Sequence, residues 1–169
     1  MSEPGAPSPE PTVDLATIDD VPDLARLRWE LYAEREGARE SLDAYRDRFV
    51  AFALHAIAHE GWQIWVARGP SGPVGAMWLR TVSRVPVPGK TAGPIGYLTN
   101  VYVQPSYRNR GLGTRMLDHV LDHCRRQGLS CVITWPSARS RPFYRRVGFD
   151  RPEDPFVIEL TADPGLRGT

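Results

Sequence analysis

The chain has few cysteines, and their placement excludes a covalently stapled scaffold. Cys124 and Cys131 are the two cysteines among 169 residues, and they do not form the pattern of a disulfide framework or a zinc site. Both lie in segments with apolar periodicity, so we expect both thiols to be buried.

The chain also lacks long apolar runs and a net charge. No run approaches the roughly 20 apolar residues that cross a bilayer, and no basic and apolar signal segment opens the sequence. We therefore expect a cytoplasmic protein with no membrane association. The formal net charge of +1 gives no overall field for nucleic acid, so any anion site must be local.

Periodicity predicts one domain behind a short tail. Residues 1–12 are rich in proline and are predicted to form an extended tail, whereas residues 13–169 are predicted to form a single domain. The spacing of apolar residues predicts the order β-α-α-β-β-β-α-β-α-β. This order indicates an α/β fold in which helices cover a mixed sheet, with a right-handed parallel crossover over residues 96–135.

The predicted bounds follow from turn residues and helix caps. Asp19 or Asp20 is expected to cap the first helix, Ser41 the second, and Gly128 to end the third. Predicted strands cover residues 13–16, 62–67, 74–82, 95–103, 130–135 and 156–160, and predicted helices begin near residues 21, 42, 112 and 139.

A glycine-containing loop between a predicted strand and helix is the most informative segment. It reads Arg108-Asn109-Arg110-Gly111-Leu112-Gly113. Glycine lets backbone N–H groups approach a ligand closely, and the first N–H groups of a helix lack intrahelical partners. At the positive end of the helix dipole, such groups bind pyrophosphate. Two glycines alone are also compatible with a plain turn that carries surface arginines.

Two common nucleotide motifs do not fit this loop. It is not Gly-x-x-x-x-Gly-Lys-Ser/Thr, and it is not Gly-x-Gly-x-x-Gly followed by an acidic residue at ribose distance. A nucleoside triphosphate and a dinucleotide are therefore disfavoured as ligands.

Two motifs resemble those of the GNAT acetyltransferase superfamily. Residues 103–113, Val-Gln-Pro-Ser-Tyr-Arg-Asn-Arg-Gly-Leu-Gly, match the family's central pattern Val-x-Pro-x-Tyr-Arg-x-x-Gly-x-Gly/Ala. Residues 144–149, Tyr-Arg-Arg-Val-Gly-Phe, match its downstream pattern Tyr-x-x-x-Gly-Phe. The resemblance implies a GNAT-like acyl-CoA N-acyltransferase fold with a splayed central sheet, and acetyl-CoA as the acetyl donor.

The resemblance also implies roles for individual residues. The backbone of Val101, Tyr102 and Val103 would pair with the pantetheine arm, and N–H groups near Val101 would polarise the acetyl carbonyl. The pyrophosphate would be held by Arg108, Asn109, Arg110, Gly111, Leu112, Gly113 and Thr114.

Acetyl transfer needs a proton donor and a proton acceptor. The resemblance assigns the donor to the departing thiolate to Tyr144, whose alternative role is packing against the cofactor. Many relatives carry Glu or Asp on the strand before the loop, but residues 97–100 contain no carboxylate. Asn100 takes that place and is a candidate to orient a water molecule or to bind the acceptor.

Acidic residues near the end of the first predicted helix are candidates for the acceptor pocket. Glu30, Glu34 and Glu36 lie where relatives form that pocket, and the alternative is a solvated helix face. An acidic helix weakly favours a cationic acceptor. Relatives often carry Asn after the strand ending near residue 135, whereas this chain has Ser137 and Ser140 there.

Several aromatic residues and histidines have a structural and a functional interpretation. Trp29 and Tyr32 are candidates to line the acceptor cleft, whereas Trp62, Trp65 and Trp78 fit the core better. The pairs His55/His59 and His119/His123 have the spacing of metal ligands. No carboxylate-cysteine cluster joins either pair, so exposed helix-face histidines are expected and no metal site is predicted.

Two functions from different classes follow. The first is an N-acetyltransferase acting on a primary amine of a small molecule, a peptide or a protein, without a nucleic-acid or membrane partner. The alternative is a non-catalytic acyl-CoA-binding or sensor module with the same fold. Dimers are common among relatives, so a homodimer is compatible with either function.

Overall fold

A computed structural model describes residues 9–89 and 93–150. The described elements are β1 (Thr12–Leu15), α1 (Val21–Glu36), α2 (Leu42–His59), β2 (Trp62–Gly69), β3 (Gly72–Val82), β4 (Ile95–Val103), α3 (Leu112–Arg126), β5 (Cys131–Ile133) and α4 (Arg141–Arg146), with 3-10 turns at Ile18–Asp20 and Pro105–Tyr107. The predicted order is confirmed up to α4. The predicted strand at 156–160 and most of the predicted tail lie outside the described residues.

The five described strands form one mixed sheet in the order β1-β2-β3-β4-β5. Strands β1 to β4 pair antiparallel with their neighbours, whereas β5 pairs parallel with β4. A parallel pair requires a crossover connection, and α3 supplies it. The predicted α/β class and the predicted strand–helix–strand unit are therefore confirmed.

Successive side chains of β2 and β3 point to opposite faces of the sheet, and both faces are buried in the middle of these strands. Ile64 and Trp78 belong to a buried cluster with residues of α1 and α2. On the opposite face, the ring of Trp65 meets His123 of α3 edge-on at 5.1 Å. Trp65 and Trp78 are thus core residues, as predicted, and the sheet separates α1 and α2 from α3.

The entry into α1 differs from the predicted cap. Asp20 occupies the N-cap position, but no side-chain cap bond to the helix forms there. Its carboxylate instead accepts from the backbone N–H of Thr17 at 2.7 Å and pairs with both terminal nitrogens of Arg68 on β2. Asp20 is therefore a buried anchor between the start of α1 and the sheet. Ser41 caps α2 as predicted, since its side chain accepts from the N–H of Ala44 at 3.2 Å.

Two predictions of burial are corrected. Cys124 is buried as expected, but Cys131 is exposed. Apolar alternation identified a strand at Cys131, but β5 is three residues long and, within the described residues, pairs only with β4. His123, expected on an exposed helix face, is half-buried against Trp65, and burial lowers its pKa.

The chain divides into two compact units at the boundary between Ile133 and Thr134. The sheet, α1, α2 and α3 lie in the first unit, and α4 lies in the second. A single domain over residues 13–169 stays a prediction. No helix among the described residues is long and apolar enough to cross a bilayer.

The Asp20 anchor predicts a specific pH dependence of stability. The hydrogen bond from Arg68 lowers the pKa of Asp20, although burial opposes the shift. A lowered folded-state pKa stabilises the protein above the unfolded value of about 3.9, and the stabilisation is lost as pH falls through the folded value. We expect Asp20→Asn to cost about 1–3 kcal/mol of unfolding free energy at pH 7.

Urea unfolding at pH 7 and at decreasing pH measures this cost. The difference between wild type and Asp20→Asn should shrink below about pH 4, where the unfolded carboxylate is protonated. Asp19→Asn is the matched control because Asp19 is adjacent and exposed. An equal effect of both variants, or a difference that does not vary with pH, would contradict the anchor.

Candidate active site

A bulge distorts β4 just before the glycine-containing loop. The pairing with β3 shifts register between Ala76 and Trp78, so that Asn100 and Val101 both lie opposite Met77. Asn100 adopts a φ of +50°, a left-handed conformation that asparagine tolerates better than most residues. Since bulges bend a strand and redirect its side chains, Asn100 lies at a bend next to the loop.

The sheet opens beside the same strand. Pairing between β4 and β5 covers only Ile95–Tyr97 on β4, although β4 continues to Val103. Within residues 9–89 and 93–150, no strand pairs with this edge of β4 beyond Tyr97. An unpaired edge presents backbone N–H and C=O groups to a ligand. This is the splayed sheet that the resemblance implies.

The loop after β4 ends in an open helix N-terminus. Asn109 and Gly111 have φ values of +60° and +77°, and Gly111 is the N-cap residue of α3 without a side-chain cap. A Cβ atom added to Gly111 would have no heavy atom within 4 Å. The first intrahelical bond runs from the N–H of Arg115 to the carbonyl of Gly111, so the N–H groups of Leu112, Gly113 and Thr114 precede it and lack helical acceptors.

The arginines near the loop are not equivalent. The Arg108 guanidinium pairs with both carboxylate oxygens of Glu34 at 2.8 and 3.0 Å, and its Nε donates to the carbonyl of Val103 at 2.7 Å. Arg115 pairs with Glu10 at 2.7 Å. Arg110 is exposed and forms no ion pair with any described residue. Among these cations, Arg110 can approach an anion without giving up a partner.

Glu30 and Glu34 belong to a polar network between α1 and β4. The Tyr102 hydroxyl lies 2.5 Å from Glu34 and 3.3 Å from Glu30. Gln104 donates to Glu30 at 3.1 Å, and Arg26 pairs with Glu30 at 2.8 Å. Burial and the neighbouring Glu34 raise the pKa of Tyr102. These two acids therefore have protein partners on β4, although Glu34 is also exposed to solvent.

Glu36, the third acidic candidate, pairs with the segment after α1 rather than with β4. Its carboxylate pairs with the exposed Arg39 at 3.2 Å one turn further along the chain. Trp29, a candidate for the acceptor cleft, donates its indole N–H to the carbonyl of Glu40 at 2.9 Å. These contacts hold the segment that follows α1.

Asn100 has a partner that sequence reasoning missed. Arg28 on α1 donates to the Asn100 side-chain oxygen at 2.9 Å and to the Tyr32 hydroxyl at 3.1 Å. The Arg28 guanidinium carbon lies 4.4 Å from the centre of the Tyr32 ring. No local pattern links Arg28 to Asn100, because 72 residues separate them. Tyr32, the second cleft candidate, therefore lies beside the β4 bulge.

The second unit contains Tyr144. It is 5% exposed, and its ring meets those of Phe143 and Phe149 edge-on at 5.1 and 5.3 Å. Burial raises the pKa of Tyr144, and a hydrogen bond with Thr134 acts in the opposite direction. The hydroxyl is thus protonated at neutral pH, which is the form that a proton donor needs.

The loop before α4 contains two serines at the place where relatives often carry Asn. The hydroxyl oxygens of Ser137 and Ser140 lie 3.0 Å apart, and the Ser140 hydroxyl also donates to the Ser137 carbonyl at 3.1 Å. These hydroxyls support the local turn before α4.

A separate cavity of about 430 Å³ lies at the opposite end of α3 from the glycine-containing loop. Trp62, expected in the core, is half-buried and lines it. The full lining is Ile57, Gly61, Trp62, Gln63, Thr81, Pro94, His123, Gln127 and Leu129. In the described part of the chain, no three His, Cys, Asp or Glu residues are arranged to hold a metal ion.

Solved structures identify the fold as that of N-acetyltransferases. One is the crystal structure of a predicted acetyltransferase with acetyl-CoA from Clostridium acetobutylicum, which is 21% identical with a TM-score of 0.74 over 89% of this chain and 96% of that chain. Another is a GCN5-related N-acetyltransferase from Ralstonia eutropha, which is 23% identical with a TM-score of 0.72 over 89% and 99%. At these identities the likeness establishes the fold.

The family follows from the sequence match. The model of the acetyltransferase (GNAT) family matches residues 21–149, so this chain belongs to that family. Curated relatives include the glucosamine 6-phosphate N-acetyltransferase of Trypanosoma brucei brucei, which is 35% identical over 66 residues, or 39% of this chain and 45% of that protein. The Arabidopsis thaliana protein of the same name is 29% identical over 59 residues, or 35% and 40%. The chain spans less than half the length of these relatives.

Proposed function

We propose that this protein is an N-acetyltransferase that moves an acetyl group from acetyl-CoA directly to a primary amine. One observation carries the proposal: the unpaired edge of β4 leads into an uncapped helix N-terminus. A strand edge suits the amide-containing pantetheine arm, and a helix N-terminus suits pyrophosphate. The strand edge comes first and the helix N-terminus next, just as the pantetheine arm of acetyl-CoA is followed by its pyrophosphate.

The loop would bind the pyrophosphate mainly through its backbone. Leu112, Gly113 and Thr114 would contribute N–H groups from the first turn of α3, where the helix dipole favours an anion. The side chain of Arg110 would add charge. Arg108 would contribute through its backbone, since its side chain is held by Glu34 and the Val103 carbonyl.

The chemical step would be attack of a neutral amine on the thioester carbonyl. The C–N bond forms, the C–S bond of the tetrahedral intermediate breaks, and the thiolate leaves. Backbone N–H groups near Val101 would stabilise the developing oxyanion, Tyr144 would protonate the thiolate, and a water molecule oriented by Asn100 would accept the proton of the amine. Asn100 itself is a poor base.

The acceptor would be a small-molecule or peptide amine. Two curated relatives are named glucosamine 6-phosphate N-acetyltransferases, so an amino sugar phosphate belongs in any acceptor screen. A homodimer is compatible with this function.

Release of free thiol with a panel of amines tests the function. Purified protein with acetyl-CoA should release thiol in proportion to amine acetylated, for at least one amine in the panel. Mass spectrometry of the product, with a control lacking amine, separates transfer from hydrolysis. Tight binding of acetyl-CoA without turnover of any amine would contradict the enzyme assignment.

The loop assignment predicts that Gly111→Glu abolishes binding of CoA. The side chain would occupy the open space beside Gly111, and its charge would repel the pyrophosphate. Gly128→Glu is the matched control, because Gly128 ends the same helix with a φ of +69° and equally open surroundings. Left-handed strain costs about 1–2 kcal/mol at either glycine.

Calorimetric titration with CoA and thermal unfolding measure the two effects. Both variants should lose similar stability, and only Gly111→Glu should lose affinity. Equal affinities in the two variants would show that the loop does not hold the pyrophosphate.

The role of Tyr144 predicts a loss of turnover without a loss of cofactor affinity. Tyr144→Phe removes the donor and keeps the ring contacts, so kcat should fall at least about tenfold while the Kd for CoA stays unchanged. Tyr144→Leu also removes the ring and should lower the melting temperature. A wild-type kcat for Tyr144→Phe would leave Tyr144 with a packing role only.

A further inference from the structure

Arg28 is a cation whose protein partners are all neutral. It donates to the Asn100 side-chain oxygen and the Tyr32 hydroxyl, and it interacts with the Tyr45 hydroxyl, on whose pKa it acts. We call Arg28, Tyr32, Tyr45 and Asn100 the Arg28 cluster. Within the described residues, no carboxylate forms an ion pair with Arg28. A half-buried guanidinium without a counter-ion is costly unless another anion offsets its charge.

The other charges around α1 are compensated. Arg26 pairs with Asp23 and Glu30, and Arg108 pairs with Glu34. The acids of this helix are therefore paired within the fold, with Asp23 and Glu30 sharing one arginine.

The acids at the end of α1 and in the loop that follows it also pair with arginines. Glu36 pairs with Arg39 at 3.2 Å, and Glu40 pairs with Arg48 at 2.6 Å. The acids of this loop therefore have arginine partners as well.

Two further arginines contact the aromatic rings of the Arg28 cluster. Arg35 lies over the Tyr32 ring at 5.7 Å, and Arg48 lies over the Tyr45 ring at 5.5 Å. Two aromatic rings thus lie among three guanidinium groups next to the β4 bulge. Arg48 also pairs with Glu40, so the charge beside the bulge that a negative group would meet is that of Arg28.

We propose that Arg28 recognises an anionic group, a carboxylate or a phosphate, on the amine acceptor. The inference rests on the proposed function for the reaction, while the anion site rests on the contacts of Arg28 alone. The planar guanidinium has five N–H donors, so it can bind two oxygens of an anion side by side. Because Arg28 contacts Asn100, such an anion would bring the amine of a small acceptor close to the bend in β4.

Matched acceptors test the proposal. Each pair differs only in the anion: an amino acid against its amide for a carboxylate, and glucosamine 6-phosphate against glucosamine for a phosphate. Wild-type protein should prefer the anionic member of at least one pair by about tenfold or more in kcat/KM, the value expected for a charged hydrogen bond. The pair with the larger preference identifies the anion.

Variants of Arg28 separate recognition from support of Asn100. Arg28→Gln should reduce the preference about 10- to 100-fold, because kcat/KM falls much further for the anionic member than for the neutral member, where any loss reflects the altered contact with Asn100. Arg28→Lys keeps the charge but not the paired donors, so it should retain part of the preference. Arg125→Gln, which removes an exposed arginine on α3, should behave as wild type.

The outcomes distinguish this inference from the proposed function. Turnover of neutral and anionic members at equal kcat/KM, or equal loss for both members in Arg28→Gln, would overturn the role of Arg28 while leaving acetyl transfer intact. If no amine is acetylated, the proposed function fails. Thermal stabilisation of the CoA-loaded protein by inorganic phosphate or acetate then decides: stabilisation of wild type but not of Arg28→Gln supports the anion site, and equal or absent stabilisation refutes it.

Discussion

The bend in β4 is the constraint on which the rest of the candidate site depends. A regular strand would keep β4 in register with β3 and would leave no reason for Asn100 to adopt a left-handed backbone. The extra residue redirects the strand at Asn100 and Val101, just beyond the point where pairing with β5 ends. The open edge, the glycine-containing loop and the N-terminus of α3 then follow in sequence.

Ion pairs and hydrogen bonds of acidic residues connect α1 to β4. Glu30 and Glu34 are stabilised by Tyr102, Gln104 and two arginines, which ties the helix to the strand. This network uses up the acidic side chains that a reader of the sequence would assign to substrate binding. Beside the bulge lies Arg28, whose partners among the described residues are neutral.

Local signals were sufficient for the elements and for the loop. Ser41 caps α2, Gly128 ends α3 with a positive φ, and the loop at residues 108–113 precedes α3 as predicted. Each of these depends on neighbours within a few residues. Cys131 shows the limit of such signals, because alternation predicts a strand but not what covers its face.

Contacts between distant segments were not predictable. Tyr102 was assigned through its backbone, yet its hydroxyl contacts Glu34, which lies 68 positions earlier in the chain. The Arg28–Asn100 contact joins residues 72 apart, and nothing in either local sequence marks it. A single sequence predicts what each segment forms, whereas partner choice depends on how the sheet brings α1 against β4.

The wide chain separation of these contacts also has a kinetic consequence. Each bond between α1 and β4 closes a loop of about seventy residues, which costs conformational entropy. Proteins with many contacts between distant residues fold more slowly than proteins with local contacts. The contacts between Arg28 and Asn100 therefore require the intervening strands β2 and β3, which lie between α1 and β4 in the chain. A nascent chain that has emerged only as far as α2 contains Arg28, but it has none of the pocket in which Arg28 takes part.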